Sequence, residues 1–229
     1  MNLFERNQKV RAFFNEKIDT YDDVHSAFMK TKKALADNLE SGTKKILDLG
    51  AGTGLELIYV FEAFPDAEVT VIDITENMLE ELKKRSFADH VTTICGDFFE
   101  VDFGDDYDAV ISTSALHHFK FEEKVKLYKK IYECLKNGGL FLNSDYIALT
   151  QEIEDHQLYE LEHNIENYKH IDTPLTVEHE MEVLKRVGFK EATSSNVDKD
   201  NYSLIKARKM KWFRYVFRYV LRKKLTIIQ

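Results

Sequence analysis

Residues 46–57 read ILDLGAGTGLEL, an apolar run followed by glycines at positions 50, 52 and 54 and then by an apolar pattern of helical period. The apolar run predicts a buried strand, and the pattern after it predicts a helix. In doubly wound sheets, ligands bind beyond the carboxyl ends of the strands, where the first turn lets a ligand approach the backbone. This junction therefore predicts an α/β fold with a binding site at its first strand–helix turn.

Short apolar segments of strand character recur along the chain and alternate with segments of helical period. The predicted strands are 45–49, 68–73, 91–95, 107–112, 139–147 and 202–208, and the predicted helices before the first strand are 4–17 and 24–39. Residues 176–194 predict a further helix, then Gly188, then a strand. Strands separated by amphipathic helices indicate a mostly parallel sheet that is covered on both faces.

Length and composition narrow the class of protein. A chain of 229 residues suits one α/β domain with a full core. Cys95 and Cys134 have neither metal-ligand nor disulfide-framework spacing, which favours a reducing compartment. The N-terminus lacks the apolar core of a signal peptide, and no run reaches the roughly 18 apolar residues of a membrane span. We therefore expect a cytoplasmic protein.

Charge is distributed unevenly between the body of the chain and its C-terminal end. The net charge is −8, yet residues 204–229 carry nine Lys or Arg residues and no acid. Residues 210–229 predict a basic amphipathic helix with a broad aromatic and aliphatic face. Three interpretations stay open for it: packing on its own domain or on a second subunit of a homodimer, contact with a membrane surface, or RNA binding. Nucleic acid is the least favoured because the body is acidic.

The spacing of the glycines and of the acids after them resembles a known family. The segment DLGAGTG (48–54) departs from the G-x-G-x-x-G spacing of nicotinamide-binding proteins. It resembles motif I of the class I S-adenosylmethionine-dependent methyltransferases. Asp73 matches the acid of the family's motif II, CGDFFEVDF (95–103) its third element, and YDAVISTSALHHF (107–119) its motif IV; LKNGGLFLNSD (135–145) matches the turn into its fifth strand.

This resemblance implies the fold, the cofactor and most of a site. The fold would be a Rossmann-like, seven-stranded, mostly parallel sheet in a single domain, 1–209, with a helical cap (1–43) and an inserted lid (148–175). The cofactor would be S-adenosylmethionine, released as S-adenosylhomocysteine. Its implied contacts are Asp48, Gly50, Ala51, Gly52, Gly54, Asp73, Ile74, Met78, Gly96, Asp97, Phe98 and Ser112. Asp73 would accept hydrogen bonds from the ribose and Asp97 from the adenine, whereas Gly54 would also serve close helix packing.

Candidate catalytic groups follow the fourth strand and precede the first. His117 and His118 lie in the loop that faces the transferred methyl group in this family, and Tyr21 matches a tyrosine that closes over the cofactor. An acceptor hydroxyl or acidic carbon needs a base, and histidine is the usual one. The sequence leaves open whether the histidines are catalytic or structural. No further ligand has metal-site spacing, so no metal is expected.

Acceptor contacts are expected from Tyr146 and from the lid, where Tyr159 and His163 share one helix face. The loop lacks the [D/N]-P-P-[Y/F] signature of enzymes that methylate planar nitrogen in DNA bases or glutamine. The resulting hypothesis is methyl transfer to an oxygen, nitrogen or carbon atom of a small molecule. Two alternatives remain: a tRNA nucleobase methyltransferase that uses the basic tail, and a noncatalytic cofactor-binding or membrane-associated scaffold.

Overall fold

The computed structural model describes residues 2–163, 172–198 and 201–210, which form a seven-stranded sheet with helices on both faces. The strands are β1 (Lys45–Leu49), β2 (Glu68–Asp73), β3 (Val91–Cys95), β4 (Tyr107–Thr113), β5 (Leu135–Tyr146), β6 (Glu191–Asp198) and β7 (Tyr202–Arg208). The helices are α1 (Leu3–Lys17), α2 (Tyr21–His25), α3 (Met29–Asn38), α4 (Leu55–Ala63), α5 (Glu76–Leu82), α6 (Phe121–Cys134), α7 (Gln151–His163) and α8 (Val177–Val187). Short 3₁₀ turns cover Ile18–Thr20, Ser26–Phe28, Ala88–His90 and Leu116–His118.

The strand order is β3-β2-β1-β4-β5-β7-β6, so the first five strands are parallel and the last two form an antiparallel pair. This confirms the predicted fold class. The chain runs from β1 outward to β3 and then returns to place β4 on the other side of β1. Ligands of doubly wound folds bind at such a switch point, beyond the carboxyl ends of the two central strands.

The core has two layers because successive strand residues point to opposite faces of the sheet. Leu47 and Leu49 of β1 face a layer that α6 and α8 complete with Leu127, Ile131 and Leu184. Ile46 faces the other layer, to which α3, α4 and α5 contribute Leu35, Leu57, Val60 and Leu79. The central strands β1 and β4 are covered on both faces, so most of their residues are buried instead of alternating between buried and exposed.

Two sequence predictions of element bounds are wrong. The single helix expected over 24–39 is instead α2, a 3₁₀ turn and α3, and the hydroxyls of Ser26 and Thr31 donate to the carbonyls of Asp23 and Phe28 in this stretch. Such side-chain bonds compete with regular helical pairing. Strand β5 begins at residue 135 rather than 139, because the glycine pair bulges within the strand instead of preceding it.

The lid insertion predicted over 148–175 contains α7, and its described part is anchored to α8. Glu154 is buried and accepts from the backbone N–H of Thr176 at 2.6 Å, and its other carboxylate oxygen lies 2.6 Å from Nδ1 of His179. Apart from Met210, the predicted C-terminal amphipathic helix lies outside the described residues. Within the described ranges, no helix has the length and apolar character that crossing a bilayer requires.

Candidate active site

The glycine turn lies at the carboxyl end of β1 and adopts backbone conformations that favour glycine. Gly50, Gly52 and Gly54 have φ values of +80°, +53° and +76°, in the left-handed region where a Cβ is strained. An added Cβ at Gly50 would lie 2.5 Å from the Cβ of Ala115. The turn therefore combines positive φ with close packing. Because its glycines have no side chains, the backbone of the turn is accessible from the space above the sheet.

Asp73, the last residue of β2, connects the first two strand ends. Its Oδ2 accepts from the backbone N–H of Gly52 at 2.9 Å, and its Oδ1 accepts from that of Thr75 at 2.8 Å. Burial raises the pKa of this carboxyl, although the two backbone hydrogen bonds counteract the rise. Each carboxylate oxygen has a second lone pair, so Asp73 can hold the glycine turn and accept hydrogen bonds from a ligand at the same time.

A cavity opens above these strand ends. It is lined by residues predicted from sequence, namely Tyr21, Gly50, Gly52, Asp73, Ile74, Met78, Gly96, Asp97, Phe98 and His118. It is also lined by Ser114, which the sequence offers as a contact to the cofactor's amino group or to the substrate, and by residues that sequence reasoning missed, namely Asn7, Val10, Phe14, Thr75, Ala115 and Phe119. Asn7, Val10 and Phe14 lie on one face of α1 because of their helical spacing. The sequence shows this spacing, but it does not show that the face packs toward the cavity.

Helix α1 reaches the third strand end through Asp97. Asn7 donates its Nδ2 to Oδ2 of Asp97 at 2.7 Å, while Oδ1 accepts from the backbone N–H of Phe99 at 2.9 Å. The predicted adenine contact therefore lies at the edge of the cavity and is already engaged by the N-terminal cap. Phe98 is buried next to it and lines the cavity.

Tyr21 closes the cavity above the glycine turn. A Cβ at Gly52 would lie 3.0 Å from the Tyr21 hydroxyl oxygen. Burial, with added repulsion from Glu56 and Asp73, raises the pKa of Tyr21 well above its ordinary value. The phenol therefore stays protonated at neutral pH and can donate a hydrogen bond, but it cannot act as a phenolate base.

The residue after Tyr21 fastens this cap to the turn. Asp22 accepts from the Thr53 hydroxyl at 2.5 Å and pairs with Arg85 at 2.6 Å, and Nε of Arg85 donates to the Thr53 carbonyl at 3.1 Å. Three segments, the cap, the glycine turn and the end of α5, therefore meet in one small network. Phe14 extends the closure, with its ring centroid 6.1 Å from that of Tyr21 and 6.1 Å from that of His118.

The two histidines have different environments, which the sequence did not distinguish. His118 lines the cavity, whereas His117 turns away from it toward Asp145 and Asp172. Nδ1 of His117 lies 2.6 Å from Oδ1 of Asp145, and its Nε2 lies 3.2 Å from Oδ1 of Asp172. Burial alone would lower the pKa of His117, but Asp145 and then Asp172 outweigh it and raise the pKa to about 10. As an imidazolium at neutral pH, His117 has no lone pair with which to act as a base.

Asp145 at the end of β5 organises this loop. Its Oδ2 accepts from the backbone N–H groups of Leu116 and His117 at 2.9 and 3.0 Å. Asp172 lies next to the two histidines. His117, His118 and Asp172 each offer one atom that could bind a metal ion, and these three atoms lie within 4.8 Å of one another. Sequence spacing did not reveal this grouping, because 54 residues separate Asp172 from His118.

Several predicted contacts lie outside the cavity lining. Ser112 donates its hydroxyl to the Leu49 carbonyl at 2.7 Å and so connects β4 to β1. Ala51 is buried within the turn, where its carbonyl accepts from Gly54 at 2.8 Å. An added Cβ at Gly54 would lie 3.1 Å from the Leu82 side chain, in keeping with a role in helix packing.

Asp48 is fully buried beneath the turn rather than in the cavity wall. Neither carboxylate oxygen has a hydrogen-bond partner among the described residues. Burial and the neighbouring Glu56 raise the pKa of Asp48 well above its usual range. Glu56 in turn pairs with Lys32 at 3.2 Å and accepts from the Thr113 hydroxyl at 3.1 Å. Asp48 therefore belongs to a buried polar cluster below the site.

The predicted acceptor contacts are also elsewhere. Tyr159 and His163 stack on one another on α7 with ring centroids 4.0 Å apart, and Tyr159 is exposed. Tyr146 is half-buried, with its ring 6.1 Å from that of His117, and its hydroxyl accepts from Gln157 at 3.4 Å. Helical spacing correctly placed Tyr159 and His163 on one face, but that face does not line the cavity.

Comparison with known proteins identifies the family. A family model described as a methyltransferase domain matches residues 46–139, which include the glycine turn, Asp73, Asp97 and both histidines. A carboxy-S-adenosyl-L-methionine synthase of Nautilia profundicola is 26% identical over 82% of this chain and 87% of its own length. A phosphoethanolamine N-methyltransferase of Plasmodium falciparum is 30% identical over 73% of this chain and 61% of its own.

The structure of human N-acetylserotonin methyltransferase, solved with S-adenosylmethionine, superposes with a TM-score of 0.66 at 25% identity. The match covers 85% of this chain and 55% of the human one. The chain belongs to the class I S-adenosylmethionine-dependent methyltransferases. S-adenosylmethionine is the cofactor of this family of methyltransferases, and ligands of doubly wound folds bind beyond the carboxyl ends of the strands. This methyltransferase spans little more than half of the human relative's length.

Proposed function

We propose that this methyltransferase transfers the methyl group of S-adenosylmethionine to a nucleophilic atom of a small molecule bound in the same cavity. One observation carries the proposal: the same cavity is lined by the glycine turn, by Asp73 and Asp97, and by the His118 ring. Cofactor recognition and a candidate base thus face one enclosed space. Direct transfer needs this arrangement, because the nucleophile, methyl carbon and sulfur must be aligned.

The cofactor's parts match the cavity in order along the strand ends. Gly50 and Gly52 leave room for the methionine portion against their backbone, and Asp73 would accept hydrogen bonds from the ribose hydroxyls. Asp97 would accept from the adenine amino group, with Phe98, Ile74 and Met78 against the ring. All of these residues line the cavity. In this proposal Asn7 shares Asp97 with the adenine, so cofactor binding would also strengthen the attachment of α1.

The chain's contribution to the reaction is to exclude water, align the reactants and accept a proton. Phe14 and Tyr21 cover the cavity, so that displacement at the methyl carbon would take place away from bulk water. The bound cofactor would supply an electrophilic methyl group, whose bond to sulfur would break, with the electron pair left on sulfur, as the acceptor's nucleophilic atom bonds to the carbon. If that nucleophile carries a proton, His118 would accept it. His117 does not serve as the base in this mechanism.

The acceptor is proposed to be a small molecule with an apolar or aromatic part. The cavity wall includes the apolar residues Val10, Phe14, Ala115 and Phe119, and the ring of Phe14 lies 6.1 Å from that of His118. The cap formed by α1 and α2 restricts access to the cavity, which disfavours a flipped nucleobase of a large nucleic acid.

The experiment is calorimetric titration with S-adenosylmethionine and S-adenosylhomocysteine, with NADH as the control. We expect micromolar binding of both sulfur compounds and none of NADH. Acceptor pools are then incubated with S-adenosylmethionine, and mass spectrometry follows acceptors that gain a methyl group and the S-adenosylhomocysteine formed.

Other products would overturn parts of the proposal. A mass gain on the cofactor instead of an acceptor would indicate chemistry like that named for the Nautilia relative. Salt-dependent tRNA binding that disappears on deleting residues 210–229 would favour the tRNA alternative. Cofactor binding without turnover, together with liposome binding through the same segment, would favour a scaffold.

A further inference from the structure

We propose that Asp172, near the end of the lid insertion, is a positioning residue that selects the tautomer of His118 and thereby makes that ring a base. This inference rests on the proposed function for its catalytic meaning, but its structural content can be tested without an acceptor. It starts from a chain of side chains that runs Asp145, His117, Asp172, His118. The chain joins the buried end of β5 to the wall of the cavity.

The first two members of this series of side chains, Asp145 and His117, fix the direction of the His117 ring. Asp145 binds the loop backbone through Oδ2 and the His117 ring through Oδ1, and its carboxyl group is fully buried. With both ring nitrogens protonated, His117 directs its Nε2–H toward Asp172. Burial acts to raise the pKa of Asp172, but the neighbouring His117 and His118 outweigh it and hold that pKa well below its usual range, so the carboxylate stays ionised.

The last two members of the series, Asp172 and His118, reach the cavity. Oδ1 of Asp172 lies 3.4 Å from Nδ1 of His118 as well as 3.2 Å from Nε2 of His117. In this structure these two contacts are close approaches without hydrogen-bond geometry, and on our proposal they tighten into hydrogen bonds in the reactive complex. An ionised carboxylate can only accept hydrogen bonds. His118 must therefore keep its proton on Nδ1 to bind Asp172, which leaves the ring lone pair on Nε2.

Hydrogen bonds of the next residue hold Asp172 next to the loop that carries His117 and His118. The next residue, Thr173, donates its N–H to the His117 carbonyl at 2.7 Å, and its hydroxyl lies 3.3 Å from the same oxygen. Residues 172 and 173 are therefore attached directly to the histidine loop. On this proposal, the lid insertion supplies the group that sets the tautomer of the base.

The test is the tautomer of His118, read from the ring ¹⁵N chemical shifts of histidine-labelled protein, with the resonance assigned by His118→Gln. We expect the Nδ1–H tautomer in the wild type, although free imidazole side chains favour Nε2–H. Asp172→Ala should move His118 toward Nε2–H, whereas Asp172→Asn, which keeps an acceptor oxygen, should largely preserve Nδ1–H. Circular dichroism verifies that each variant is folded.

Glu154→Gln is the matched control, because Glu154 contacts Nδ1 of another histidine, His179, at 2.6 Å and neither residue lines the cavity. It should leave the His118 signals unchanged. A wild-type His118 with Nε2–H, or one that Asp172→Ala does not alter, would overturn the proposal. So would stoichiometric zinc in the purified protein that is lost in Asp172→Ala, since the three side chains would then be metal ligands.

Activity measurements distinguish failure of this proposal from failure of the proposed function on which it rests. Once an acceptor is found, Asp172→Ala should lower kcat at least tenfold while the affinity for S-adenosylhomocysteine changes less than twofold, and Asp172→Asn should recover part of kcat. If no acceptor is ever methylated, the proposed function fails while the tautomer result still stands. If turnover is normal in Asp172→Ala, the positioning role fails while the methyltransferase function stands.

Discussion

Asp145 holds His117 through a contact of 2.6 Å between Oδ1 and Nδ1, and both side chains are almost fully buried. This pair makes folding stability depend on pH. The His117 pKa rises from 6.5 to about 10 on folding, so the stabilisation is fully present below pH 6.5 and is lost as the pH rises through about 10.

His117→Gln should therefore lower the free energy of unfolding by about 3–5 kcal/mol near pH 6, as expected when one partner of a buried ion pair is removed. The difference from the wild type should shrink steadily between pH 6.5 and 10 in urea unfolding experiments. His90→Gln changes an exposed histidine and serves as the control. A difference that stays constant with pH would contradict the assignment of His117 as a buried cation.

Gly50→Ala should destabilise the protein much more than Gly42→Ala. Both glycines have strongly positive φ, +80° and +88°, which costs alanine about 1–2 kcal/mol. A Cβ at Gly50 would additionally meet Ala115 at 2.5 Å, whereas nothing lies within 4 Å of one at Gly42. Both variants carry the cost of backbone strain, and only Gly50→Ala carries the cost of overpacking, which adds about 1–3 kcal/mol. Thermal unfolding of the two variants therefore separates the two costs. Equal losses would mean that the turn can shift away from Ala115.

Asp73→Ala should weaken S-adenosylmethionine binding by about 2 kcal/mol or more, because hydrogen bonds to a charged acceptor are lost. It should also lower stability, since the Gly52 and Thr75 amides lose their acceptor. Calorimetry measures the first effect and urea unfolding the second. Asp102→Ala, which removes only an exposed bond to the Gly104 amide, is the control. Unchanged cofactor affinity in folded Asp73→Ala would exclude the ribose assignment.

Arg85→Gln should speed cofactor release by loosening the cap that carries Tyr21. Arg85 and Asp22 are partly exposed, so their coupling in a double-mutant cycle with Asp22→Asn should be below about 1 kcal/mol, a few-fold in the dissociation rate. Stopped-flow release of S-adenosylhomocysteine measures it. The same cycle on the exposed pair Lys33 and Asp37 should leave the release rate unchanged. Coupling of equal size in both cycles would contradict a role of the Asp22–Arg85 pair in closure.

Local patterns were sufficient for the sheet and for the cofactor side of the site. Strands β1 to β3 have the predicted bounds, because short apolar runs between turn signals depend on neighbours close in sequence. The motif resemblance likewise named Gly50, Gly52, Asp73 and Asp97, and all four line the cavity. The bulge in β5 was not predicted because a glycine pair is also an ordinary turn signal, and only the pairing with β4 decides between the two.

The sequence by itself determined the order of strands and helices, the family, and the glycine and acidic residues that follow the first three strands. Only the tertiary structure decided which histidine faces the cavity, that Tyr159 and His163 face elsewhere, and that α1 supplies Asn7, Val10 and Phe14 to the wall. The physical reason is that a side chain's direction and protonation depend on partners brought near it in space. For His117 and His118 those partners, Asp145 and Asp172, come from a strand end and a lid segment distant in the chain.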